Sequence, residues 1–220
     1  MKKQQIAFAI ILTYLWVMMI LLGSIVLETF MVYPNIFHDP PRSLETALDF
    51  MVVRTPHDFF PPLGFLSWVT GIGSLILGWR VKSARYWVLG SLVMIVCEGL
   101  FSMAFLWPRN TIMFIEGTEV HSAAYLEQVA REFQTLHWSR LAFNAAGSVS
   151  IFVGFLKFYR HRITSQNGHP GTQVAIGGNC MPRWRRFNTV ASRYIQEVCF
   201  VQSILLVRNF LLALETDPTK

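Results

Sequence analysis

Four long apolar runs constrain what this chain can fold into. Ile6–Val32 is interrupted among polar types only by Thr13, Ser24, Glu28 and Thr29. Leu63–Trp79 is apolar and rich in small residues, Tyr86–Trp107 holds the single charge Glu98, and Trp138–Tyr159 has Arg140 near its start and Lys157 near its end. A helix needs about 20 apolar residues to cross a bilayer. The first, third and fourth runs reach that length, and the second does so when Phe59, Phe60, Pro61 and Pro62 extend it. Only 15% of the 220 residues are charged, against 53% hydrophobic; a soluble domain carries about a quarter charged. The expected fold is therefore all-α, a four-helix transmembrane bundle with spans at about 6–32, 63–79, 86–107 and 138–159. Met1-Lys2-Lys3 would suit a signal peptide, but the apolar stretch behind it far exceeds the usual length and no A-x-A-like site follows. The first run is read as a retained span.

Basic residues orient the bundle. Lys2 and Lys3 precede the first span, Arg80, Lys82 and Arg85 join the second to the third, and Lys157, Arg160 and Arg162 close the fourth. The two long loops are mainly acidic, with Asp39, Glu45, Asp49, Asp58, Glu116, Glu119, Glu127 and Glu132. Both termini are expected on the cytoplasmic side of an integral membrane protein, with a prokaryotic inner or plasma membrane as its setting. That placement accounts for the net charge of +6 without a nucleic-acid partner. Cys97 lies within a span, Cys180 and Cys199 follow the bundle, and the absence of C-x-x-C argues against a thiol–disulfide enzyme.

The membrane domain is expected to occupy residues 1–162. In the first outer loop, a short surface helix is predicted from about Leu44 to Val53, followed by a turn at "TPHDFFPP". In the second, Pro108 should discourage further helix after Trp107. From about His121 a long helix is predicted to run into the fourth span, helped by the Glu127–Arg131 pair. Residues 163–182 read as a flexible linker and 183–220 as a cytoplasmic amphipathic helical tail, with a fifth span at 198–214 as the alternative.

Ionisable residues inside a membrane need a partner or a polar site. Glu28, Glu98, Arg140 and the polar Asn144 all fall in the outer half of the bilayer when depths are reckoned at about 1.5 Å per residue. His137, Arg140 and Asn144, three and four residues apart, share one helix face. Ser91 and Ser102 continue a polar stripe on the third span, and Ser148 continues it on the fourth. The expectation is an outward-facing polar pocket in which Arg140 and Asn144 stabilise developing negative charge while Glu98, Glu28 or His137 moves a proton. Arg109, Asn110, Trp138 and His57 are the candidate substrate-binding residues. A purely structural network locking the bundle is the competing reading. No cofactor is predicted. Loop histidines and carboxylates could hold zinc or iron, but their spacing matches no ligand motif and H-E-x-x-H is absent. Ser67, Gly71, Ser74 and Gly78 in the second span, with Ala145–Gly147 in the fourth, allow close helix approach, for folding or for a homo-oligomer.

The four spans with cytoplasmic ends, "WPRN" at 107–110 and "HWSRLAFN" at 137–144 resemble the anthrone-oxygenase-like family of small four-span membrane proteins. The resemblance covers roughly residues 5–160 and rests on Pro108, Asn110, Trp138 and Arg140. It implies cofactor-independent oxygenation, or a related reaction, of a lipophilic aromatic substrate. The alternative is a non-catalytic membrane component that binds a lipid or a protein partner. A small transporter is disfavoured, because four spans without an inverted repeat or a broken helix make a poor carrier.

Overall fold

A computed structural model of the chain describes residues 2–167. The predicted tail at 183–220, its alternative span at 198–214 and most of the predicted linker lie outside the described residues. Five helical elements organise them: α1 (Lys3–Ile36), α2 (Arg42–Phe50), α3 (Pro56–Gly78), α4 (Lys82–Val120) and α5 (Ala123–Asn167). No strand occurs among the described residues. All but α2 are long and apolar enough to cross a membrane.

Contacts between these four helices define a ring. Ile11 and Tyr14 of α1 meet Gly78 and Gly71 of α3, and Trp68 of α3 meets Gly99 of α4. Trp87 and Met94 of α4 meet Gly154 and Gly147 of α5, while Phe8 and Met18 of α1 meet Phe155 and Gly147 of α5. Numbers rise on one helix as they fall on its neighbour, so every adjacent pair is antiparallel. The bundle is up-down-up-down, with short connections at residues 79–81 and 121–122 and a longer one at 37–55 that holds α2. Ile11, Tyr14, Met18, Leu21, Ile95 and Ile151 are fully buried in its core, whereas Trp16, Phe65 and Ile76 point outward and exposed. A continuous exterior of large apolar side chains suits lipid rather than water. Tyr86 and Trp107 on α4, and Trp138 and Tyr159 on α5, are all half-exposed. At about 1.5 Å per residue each pair is separated by roughly 30 Å, the thickness of a hydrocarbon core flanked by aromatic belts.

One end of the bundle, the basic end, carries Arg80, Lys82, Arg85, Arg160 and Arg162; there Arg85 lies over the Tyr86 ring at 4.5 Å and Arg162 over Phe8 at 4.6 Å. At the opposite loop end the helices overrun the belts. Leu44, Met113, Leu126, Val129 and Phe133 are buried there as a second small core.

Four local expectations are corrected. α2 spans Arg42–Phe50 rather than 44–53. Glu45 N–H bonds to the Pro41 carbonyl, starting the helix early, and the β-branched Val52–Val53 pair does not prolong it. "TPHDFFPP" is no turn, because α3 begins at Pro56 with a capping box between Thr55 and Asp58. Pro108 does not end α4. A π-helical segment at Ser102–Leu106 precedes it, and its wider turn accommodates the proline ring before the helix resumes at Trp107–Thr111. Residues 163–167 are helix rather than linker, since no Gly or Pro lies between Lys157 and Asn167.

Candidate functional site

The stripe on α5 faces inward as its spacing requires. His137, Asn144 and Ser148 are buried, and the Arg140 side chain is nearly so. Arg140 donates from Nε to Glu98 Oε1 at 3.0 Å and from Nη1 to Glu28 Oε2 at 3.5 Å. Asn144 Nδ2 donates to the second Glu98 oxygen at 3.3 Å. Ser148 Oγ lies 3.4 Å from Asn144 Oδ1 and 3.3 Å from the Met18 carbonyl, fixing the amide from below. The Tyr33 hydroxyl lies within reach of Glu28 and Arg140. Three helices thus supply two carboxylates and one guanidinium, a formal local charge of −1, in a setting where each ionic contact is strengthened by low dielectric. Glu28 opens a second π-helical segment, Glu28–Val32. Such segments often mark functional positions, and here both flank the same layer.

Beside this layer is a cavity of about 220 Å³ between α3 and α4. Glu98, Arg140 and Ser102 are its polar lining. Phe60, Trp68, Trp107 and Ile95 form apolar walls, and Phe65 and Met103 stand exposed at its margin. Phe60 also covers Arg140, whose guanidinium carbon lies 4.3 Å from the ring centroid. Gly64 and Gly99 keep the walls low. A Cβ at Gly99 would come within 2.6 Å of the Trp68 ring, so that indole lies directly on the α4 backbone.

Of the predicted catalytic residues, Arg140, Asn144, Glu98 and Glu28 come together. Asn144 does so behind Glu98 rather than in the cavity lining. His137 is placed apart, edge-on to Tyr33 at 4.6 Å and stacked near Phe133 at 6.1 Å. A ring nitrogen lies near the Ile25 backbone. The predicted substrate-binding residues do not line the cavity. Arg109 is paired with Glu132 at 3.0 Å, and Asn110 is half-buried beside it. Trp138 is exposed and packs edge-on to Phe30, and His57 is exposed beside Trp107. Sequence reasoning missed Phe60, Gly64 and Trp68 as a wall. Their spacing of four residues puts them on one face of α3, the signal that would have found them. Among the described residues, no three His, Cys, Asp or Glu side chains converge as a metal-binding group.

Compared with family models, curated proteins and solved structures, the chain has no match.

Proposed function

We propose that this is an integral membrane protein that takes a lipophilic small molecule into the α3–α4 cavity and acts on its polar end with Glu98 and Arg140. The observation that carries this reading is the coincidence of an apolar-walled cavity with a buried ion network that shares two of its lining residues. Exposed Phe65 and Met103 at the margin favour entry from the bilayer plane. In the catalytic form, Glu98 accepts a proton from an acidic C–H or O–H of the ligand. The electron pair stays on the ligand as an enolate or oxyanion, and Arg140 stabilises it. Asn144 holds Glu98 in position. In the narrower form implied by the resemblance to anthrone-oxygenase-like proteins, the carbanion left by C–H deprotonation adds to molecular oxygen without a cofactor: a C–O bond forms, the peroxide anion takes back the proton held by Glu98, and the hydroperoxide loses water to give the carbonyl product.

The basic end is assigned to the cytoplasm and the loop end to the outer side of a prokaryotic inner or plasma membrane, on the distribution of Arg and Lys. In a cysteine-free background, an impermeant thiol reagent on intact cells should label Thr118→Cys and spare Arg80→Cys; the reverse pattern would invert the assignment.

The second reading is a non-catalytic component whose network is structural, and the pairing of Arg140 with both carboxylates favours it. One substitution separates the two. Gly64 lines the cavity, belongs to none of the ion pairs, and has open space around an added Cβ, so Gly64→Leu is the substitution chosen to fill the cavity. Protein purified in mild detergent should carry a small molecule detectable by native mass spectrometry, and the variant should lose it at unchanged yield. Equal occupancy in both proteins, or an empty wild type, would leave the structural reading standing alone.

A further inference from the structure

Ser102 departs from a pattern that six other hydroxyl residues of these helices share. Ser24, Thr29, Thr70, Thr111, Thr135 and Thr164 each donate to a backbone carbonyl four residues earlier, the usual way for a helical hydroxyl to satisfy itself in an apolar setting. Ser102 makes no hydrogen bond, although it is 8% exposed and its Oγ is shielded from solvent. It opens the π-helical segment Ser102–Leu106, one turn beyond Glu98, and it lines the cavity. A buried hydroxyl without a partner is costly, so its persistence calls for an explanation. Ser74 is in the same condition among the described residues, but it is fully buried and does not line the α3–α4 cavity.

We propose that Ser102 is the specificity-determining residue of the α3–α4 cavity. Its hydroxyl receives or donates the hydrogen bond of a hydroxyl or carbonyl group on a ligand whose apolar body rests against Phe60, Trp68 and Trp107. The inference rests on the ligand-binding reading above and adds to it the polar group the ligand must carry. Selectivity follows because an analogue lacking that group leaves the Ser102 hydroxyl and its own site unpaired. Glu98 and Arg140 are already engaged with each other, whereas Ser102 is free for the ligand.

The test uses two probes that differ by one hydroxyl, naphthalene and 1-naphthol, with binding measured by calorimetry on the full chain in detergent. Wild type should bind 1-naphthol roughly tenfold more tightly than naphthalene, the discrimination that one buried neutral hydrogen bond supplies. Ser102→Ala should abolish that preference while keeping the naphthalene affinity, and Ser102→Thr should restore it. Gly64→Leu should weaken both probes together. If Gly64→Leu leaves both unchanged, the cavity is not the ligand site and the underlying reading fails. If Gly64→Leu weakens both but Ser102→Ala keeps the preference, the role of Ser102 alone is overturned. Equal affinity of the two probes for wild type overturns it as well.

Discussion

Two polar layers cross this bundle, two turns of α4 apart, and they are built on opposite plans. In the layer nearer the basic end, the Tyr14 hydroxyl and Ser91 Oγ share one hydrogen bond of 2.9 Å, both residues fully buried. The pair is neutral, and the packing around it is closed: a Cβ at Gly71 would come within 3.1 Å of the Tyr14 ring and 2.9 Å of Leu92. The layer nearer the loop end holds Glu28, Glu98 and Arg140 with a formal charge of −1, a cavity of about 220 Å³ and the unpaired Ser102. The first layer shows that these helices can lock together through a single satisfied neutral pair. A charged, incompletely filled layer is therefore more than the fold requires, and its cost needs an explanation beyond assembly.

The largest expected effect tests that contrast directly. Arg140→Leu leaves two buried carboxylates facing each other without a counter-ion, which should destabilise the bundle by about 3–5 kcal/mol in reversible unfolding from detergent. The neutral triple variant Arg140→Leu, Glu98→Gln, Glu28→Gln should recover most of that loss, because no uncompensated charge is then left buried. Recovery of stability without recovery of ligand occupancy would show that the charges serve the ligand. A triple variant as unstable as the single one would show that they serve the fold, and the two layers would then differ in strength rather than in purpose.

The bundle was legible from sequence because lipid leaves few choices: apolar runs of sufficient length must become helices. The convergence of Glu28, Glu98, Arg140 and Asn144 was legible for a related reason, since rise per residue converts sequence position into depth. Depth says nothing of rotation about the helix axis between neighbours, so the separation of His137 into an aromatic cluster and of Asn144 behind Glu98 could not be read. Nor could the walls at Phe60 and Trp68, whose apolar character is what any lipid-facing or core residue would show. The proline at 108 misled because proline usually stops a helix in water. The π-helical turn that admits it, Ser102–Leu106, depends on packing rather than on local composition.

Two glycine substitutions sharpen the same comparison at smaller magnitude. Gly71→Ala pushes a methyl group to 2.9 Å from Leu92 and 3.1 Å from the fully buried, hydrogen-bonded Tyr14 ring, and overpacking of this kind costs about 1–3 kcal/mol. Gly64→Ala meets open space and removes a helix-interior glycine, so it should be neutral or stabilising by less than about 1 kcal/mol. Thermal unfolding of both proteins in one detergent reads the difference. Equal penalties at the two sites would mean that the cavity is closed in the detergent-solubilised protein and that the two layers are packed alike.

The smallest effect is expected from Tyr14→Phe. It deletes one hydroxyl and leaves Ser91 to turn toward a backbone carbonyl of its own helix, as Ser24 and Thr70 do in theirs. Interhelical hydrogen bonds in membranes average about 0.6 kcal/mol, because the separated helices also find partners. The loss should therefore be under about 1 kcal/mol, with ligand occupancy unchanged, since neither residue lines the cavity. A fall in occupancy in this variant would show that the Tyr14–Ser91 layer sets the positions of Met18 and Ser148, and through Ser148 those of Asn144 and Glu98. The two layers would then be one coupled device, and the neutral pair would act as the positioning support of the charged site.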